Sequence, residues 1–107
     1  TIRRLKAFAD AGADCLYSPG IKTQDHIEAT VQAVGGRAVN FLNGNSLGFS
    51  VDDLARMGVR RISVGGALAR VAMDAFLRVS QQIAGEGKFD GFAGLVSNAE
   101  LNQRFRQ

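Results

Sequence analysis

Apolar residues recur along the chain in two alternating patterns. In one they return every three or four positions, as on one face of a helix, and in the other they form a short continuous run. Ile2, Leu5, Phe8 and Ala9 share a helical face and Gly12 follows. The spacing predicts a helix ending near residue 11, because glycine accepts the left-handed conformation that closes a helix. Ile27, Val31 and Val34 form a second stripe, stopped by Gly35-Gly36, with Asp25 and Glu28 in the spacing of a capping pair. Ser50-Val51-Asp52-Asp53 opens a third helix, with Leu54 inward and Gly58 as its stop. A fourth is predicted from Ala67 to Ile83, on the repeat Leu68, Val71, Ala72, Ala75, Val79 and Ile83, with Gly85 ending it.

Between the helices lie three segments of one plan, each a Gly stop, a short apolar run and a closing Gly: Ala11 to Gly20, Gly35 to Gly44 and Met57 to Gly66. They close on Gly20, Gly44 and Gly65/Gly66, a spacing that suits one strand–helix unit. Strands that alternate with helices pair in parallel, and brief apolar strands suit a sheet covered on both faces. Three parallel strands do not close a barrel and leave two edges to cover. The pattern therefore predicts that residues 1–85 are the last portion of a larger α/β fold, with three parallel strands and flanking helices. Residues 86–107 are a C-terminal helical arm, in which Ser97 to Glu100 has the form of a capping box and Leu101 pairs with Phe105.

Composition narrows the classes. The chain has 107 residues, too few for a complete eight-stranded barrel of roughly 250. Its 46% apolar and 21% charged residues are those of a globular domain rather than a disordered one. The net charge of +3 is uneven, −1 over residues 1–54 and +4 over residues 55–107. The arginines at 3/4, 60/61 and 104/106 are scattered and read as solvated, too sparse for a nucleic-acid surface. No apolar run reaches bilayer length and no signal-peptide core follows Thr1, so the expected setting is soluble and cytoplasmic. Cys15 and His26 are single residues of their kind, which rules out an intrachain disulfide and leaves too few ligands for a Cys/His metal site.

In parallel α/β folds ligands bind beyond the carboxyl ends of the strands, where helix N-termini present unpaired N–H groups. Three loops qualify here. Tyr17-Ser18-Pro19-Gly20 offers hydroxyls, and Asn43-Gly44-Asn45-Ser46 offers amides and a hydroxyl. Ser63-Val64-Gly65-Gly66 offers backbone amides at the start of a long helix, with Arg70 one turn further on. The candidate substrate-binding residues are Asn43, Asn45, Ser63, Gly65 and Gly66. Asn40 and Ser63 lie inside apolar strands, a placement that packed barrel interiors tolerate when such residues hydrogen-bond to each other. No cluster of residues marks a catalytic or metal-ligating set. Two readings are open at this point: a phosphate-binding barrel enzyme using the Ser63-Val64-Gly65-Gly66 loop, and a non-catalytic oligomerising module.

The order of motifs resembles a known family. Arg4-Leu5-Lys6-Ala7-Phe8-Ala9-Asp10-Ala11-Gly12-Ala13-Asp14, then Leu16-Tyr17-Ser18-Pro19-Gly20, Val39-Asn40-Phe41-Leu42, and Leu54 through Gly65 are similar to the C-terminal part of the isocitrate lyase/phosphoenolpyruvate mutase family. The resemblance implies a (β/α)8 TIM-type barrel of which residues 1–85 supply the last helix–strand units, from the helix after strand five to the helix after strand eight. It also implies an enzyme that uses Mg²⁺ to make or break C–C or C–P bonds in small 2-oxo or 2-hydroxy acids, through an enolate-like species. The metal-binding carboxylates, the lid cysteine and the strand-five arginine of that family lie upstream of this segment, so the segment alone is expected to be inactive. Asn43 and Asn45 match positions where lyase members hold a substrate carboxylate, although many relatives have Ala-Gly in place of Asn43-Gly44. The resemblance further implies a homo-oligomer that exchanges C-terminal helices, with a small carboxylate as ligand and neither nucleic acid nor membrane as partner.

Overall fold

The computed structural model describes residues 1–106. It contains α1 (Ile2–Asp10), β1 (Cys15–Tyr17), α2 (Gln24–Ala33), β2 (Ala38–Leu42), α3 (Val51–Arg56), β3 (Arg61–Ser63), α4 (Ala67–Glu86), a 3-10 turn (Asp90–Phe92) and α5 (Asn98–Arg104). The strands form one parallel sheet in the order β1-β2-β3. By contact the chain divides into two compact units, Thr1–Leu68 and the residues from Ala69 onward.

In the first unit the sheet and its helices follow from the two periodicities. Side chains alternate across a strand, so Leu16, Val39, Phe41 and Ile62 point one way and meet the helix stripes. Leu5, Ala9, Leu16, Val34 and Val39 form one buried cluster, and Ile27, Phe41, Leu54 and Val59 another. Phe49, from the loop after β2, closes edge-on against Phe41 with ring centroids 6.1 Å apart. The opposite sheet face carries Cys15, Tyr17, Ala38, Asn40, Leu42, Arg61 and Ser63. Within the first unit the helices pack on the face of Leu16, Val39, Phe41 and Ile62.

The helix ends show where side-chain chemistry fixes the boundaries. At α3 the Ser50 hydroxyl accepts from Asp53 N at 3.1 Å while the Asp53 carboxylate accepts from Ser50 N at 2.8 Å, a complete capping box. At α2 the expected Asp25/Glu28 cap is replaced by Thr23, whose Oγ accepts from His26 N at 3.4 Å. An N-cap has extended backbone before the first helical residue; Thr23 does, whereas Asp25 lies inside the first turn and Glu28 accepts from Gln24 Nε2 instead. Gly58, with φ +88°, ends α3, and a Cβ there would lie 2.8 Å from Val31 Cγ1, so α2 approaches this turn too closely for any side chain.

The second unit is α4 with the tail folded on it. The helix passes the expected stop at Gly85 and ends at Glu86; Gly87, at φ +66°, turns the chain and donates to Ile83 O at 3.0 Å. Gly85 has no left-handed backbone, so it extends the helix instead of closing it. Gly91 sits where a Cβ would fall 2.6 Å from Val79 Cγ2, and its N–H donates to Gln82 Oε1 at 3.2 Å. At α5, Ser97 Oγ accepts from Glu100 N, but the Glu100 carboxylate turns to Arg104 at 3.0 Å, so only half of the expected box forms.

Candidate functional site

The sheet face turned away from the helices holds the polar groups of the first unit. The register places Tyr17 beside Asn40 and Asn40 beside Arg61, one row across three strands, with Leu42 beside Ser63 one step towards the carboxyl ends. Partners in a parallel pair project to the same side, so these side chains share one surface.

Asn40 organises that surface. It is 3% exposed, its Nδ2 donates to Ser63 Oγ at 3.0 Å, and its Oδ1 accepts from Arg61 Nε at 2.9 Å. The amide thus bridges two residues of β3 that lie on the same face. A buried amide without partners would cost about 1–3 kcal/mol, and this pairing removes the cost. The mutual bond of Asn40 and Ser63 is the one expected of polar residues inside a barrel strand.

The loops at the carboxyl ends close over this surface. Asn43 N donates to Ser63 O at 2.8 Å, which prolongs the β2–β3 pairing beyond the last strand residue. The Asn43 side-chain oxygen is buried with no hydrogen-bond partner among the described residues. Gly44 is half-buried, Asn45 is exposed, and both are engaged in interactions of their own. Gly65 takes φ +54° and packs over Leu42, where a Cβ would sit 3.5 Å from Leu42 Cδ1. Gly66 has neither positive φ nor any atom within 4 Å of a would-be Cβ, so nothing in the chain's own packing requires glycine there. The structure brings Asn43, Ser63 and Gly65 to one end of the sheet, with Gly66 following. Arg70 lies in the first turn of α4, in the second unit, and is exposed.

Arg60 and Arg61 are both exposed, as the sequence reading took them, but that reading missed the bond from Arg61 to the Asn40 amide. Strand parity was the signal that could have found it: Ile62 packs with the helix-side cluster, so Arg61 and Ser63 must face the other way.

Among the described residues no three of His, Cys, Asp and Glu converge where they could hold a metal ion. These residues therefore do not fit the Mg²⁺ site that the resemblance implies. Nor is any described helix long and apolar enough to cross a membrane.

Comparison with known proteins decides the lineage. The family model for phosphoenolpyruvate phosphomutase matches residues 1–84. The chain belongs to that family. A solved structure of a candidate lyase/mutase from Burkholderia cenocepacia J2315 is 46% identical, matches 100% of this chain and 38% of its own, and superposes with a TM-score of 0.91. A 2,3-dimethylmalate lyase described as a PEP mutase/isocitrate lyase superfamily member is 23% identical, with 95% of this chain and 37% of its own covered at a TM-score of 0.75, and shows the shared fold. Oxaloacetate acetylhydrolase in complex with oxalate is 26% identical over 87% of this chain and 34% of its own, with a TM-score of 0.71. No curated protein sequence matches. The chain spans somewhat over a third of the length of these relatives. Its three parallel strands and flanking helices are part of their α/β barrel, and the Asn40 face of the sheet is the barrel interior.

Proposed function

We propose that this phosphoenolpyruvate phosphomutase-family chain is the C-terminal portion of a lyase or mutase that cleaves or rearranges a C–C or C–P bond beside the carboxylate of a small 2-oxo or 2-hydroxy acid. The family match over residues 1–84 carries the reading. The polar ends of β2 and β3 support it, since a ligand of that class needs neutral donors and positive charge at one end of a barrel. Asn43, Asn45, Ser63, Gly65 and Gly66 are the proposed substrate-binding positions. Bond cleavage beside a carbonyl leaves its electron pair on an enolate, and donors fixed before the reaction stabilise that charge without reorganising. Within this chain that task falls to amide, hydroxyl and backbone N–H groups.

A lyase of this kind draws Mg²⁺ from residues outside those described, and the apolar tail is proposed to pack against a second copy of the chain. The experiment is turnover by the full natural polypeptide, with Mg²⁺, of a panel comprising 2,3-dimethylmalate, oxaloacetate and phosphoenolpyruvate. The expected result is release of a 2-oxo acid, or isomerisation, for members of the panel and their close homologues. Absence of turnover across 2-oxo and 2-hydroxy acids and phosphonates would overturn the reading.

A further inference from the structure

The polar row on the barrel face contains a group that the substrate-binding positions above do not use. Arg61 begins β3, yet its guanidinium is held by the buried Asn40 amide through Nε at 2.9 Å, and Asn40 is itself held by Ser63 at 3.0 Å. This clamp has two consequences. The bond at Nε fixes the plane of the guanidinium, and it leaves the Nη1/Nη2 edge, the part that matches two oxygens of one carboxylate, pointing away from the clamp. Because the clamping group is a neutral amide, the positive charge is oriented but not neutralised. The ion pairs among the described residues involve Arg56, Arg78, Lys88 and Arg104, and Arg61 is in none of them. Arg61 is exposed in this segment, and the strand's parity turns it to the face that a closed barrel would enclose, where an unpaired guanidinium needs an anion because burying it alone costs several kcal/mol.

We propose that Arg61 is a carboxylate-binding residue of the barrel, presenting its Nη edge to a carboxylate of the substrate, with Asn40 as its positioning residue and Ser63 fixing Asn40. The inference rests on the carboxylic-acid reading above and adds to it the group that supplies positive charge from this segment. Tyr17, in the same row two strands away at roughly 10 Å, lies within reach of the far side of a small diacid. The competing role for Arg61 is purely structural, an ion pair with a carboxylate on another barrel strand. The two differ in what depends on the guanidinium: ligand affinity or barrel stability.

The test uses the full natural polypeptide and oxalate, a small planar dicarboxylate that probes the site without needing turnover. Calorimetry on the wild type, Arg61→Met and Arg61→Lys is paired with thermal melting and with KM and kcat for any acid that the wild type turns over. The expected result is a Kd for oxalate at least tenfold weaker in Arg61→Met, intermediate in Arg61→Lys, with melting unchanged and KM rising more than kcat falls. Arg61→Met that keeps oxalate affinity within twofold of wild type overturns the proposal, whatever its melting temperature, as does a wild type that does not bind oxalate. Should Arg61→Met fail to fold, or lose affinity and stability together, Arg61→Lys decides. It keeps the charge but not the fork, so a loss of fivefold or more supports the proposal and an unchanged Kd overturns it. A wild type that binds oxalate through Arg61 but turns over no such acid defeats the lyase reading alone. A wild type that turns them over with KM and Kd indifferent to Arg61 defeats this inference alone.

Discussion

Asn40 carries two hydrogen bonds from a position 3% exposed, so its replacement tests how far one amide holds the barrel face together. Asn40→Ala strands the Ser63 hydroxyl and frees the Arg61 guanidinium, and chemical denaturation should show a loss of about 1–3 kcal/mol. Ser63→Ala removes only one of those bonds and should cost less. Asp53 is a second residue with a measurable consequence. Hydrogen bonds from the Ser50 hydroxyl and Ser50 N–H, aided by the Arg56 guanidinium, hold its carboxyl below the ordinary value of 3.8. A carboxyl lowered in the folded state stabilises it above the unfolded pKa, and that contribution disappears as pH falls through the folded value. The stability gap between wild type and Asp53→Asn should therefore be constant from about pH 5 to 8 and shrink below about pH 4. The bond between Asn40 and Ser63 was legible in the sequence, because two polar residues inside apolar strands have few ways to be satisfied. The third member was not: Arg61 is exposed like Arg60 beside it, and only the alternation about Ile62 places it on the face of Asn40.

Among the elements, sequence and structure agree most closely where a local side chain sets the boundary. Ser50 with Asp53 and Gly12 after α1 are such cases, and each acts within a few residues of the end it fixes. They part where equivalent signals compete. Thr23 and Asp25 are both good caps, and the choice between them depends on where α2 must begin to bring Ile27 against Phe41 and Leu54. Gly85 and Gly87 compete in the same way at the end of α4, and only the second takes the left-handed backbone. Gly58 offers a sharp test of how closely the elements are fitted. With φ +88° and Val31 Cγ1 only 2.8 Å from a would-be Cβ, Gly58→Ala must strain the turn and displace α2. The expected loss is about 1–3 kcal/mol by denaturation, well beyond the few tenths typical of exposed loop positions. Gly66→Ala has neither strain nor clash to meet within the chain and should leave stability within about 0.5 kcal/mol.

At the scale of the molecule, the parallel strand–helix architecture could be read from three repeats of one plan, whereas what covers the second unit could not. Val71, Phe76, Phe92, Leu95 and Phe105 are more than half exposed, and no buried residue occurs in α4 or α5. Helical periodicity reports that a face is apolar without saying what it meets, so the pattern of α4 was visible and its partner was not. Exposed apolar area of this extent favours association at about 25 cal/mol per Å². The 107-residue chain by itself should therefore scatter light as species larger than its 11.4 kDa mass, and ending it at Gly94 should give smaller, aggregation-prone species. A soluble monomer at tens of micromolar for both lengths would contradict this. The same isolated chain should show no lyase activity with Mg²⁺ and bind Mg²⁺ no more tightly than millimolar. A hard cation needs several oxygen ligands converging on one point, and the described carboxylates are spread over helix caps and surface ion pairs. Calorimetry that finds a micromolar Mg²⁺ site in these 107 residues would show that carboxylates converge in solution, and would move the metal chemistry of the barrel onto this segment.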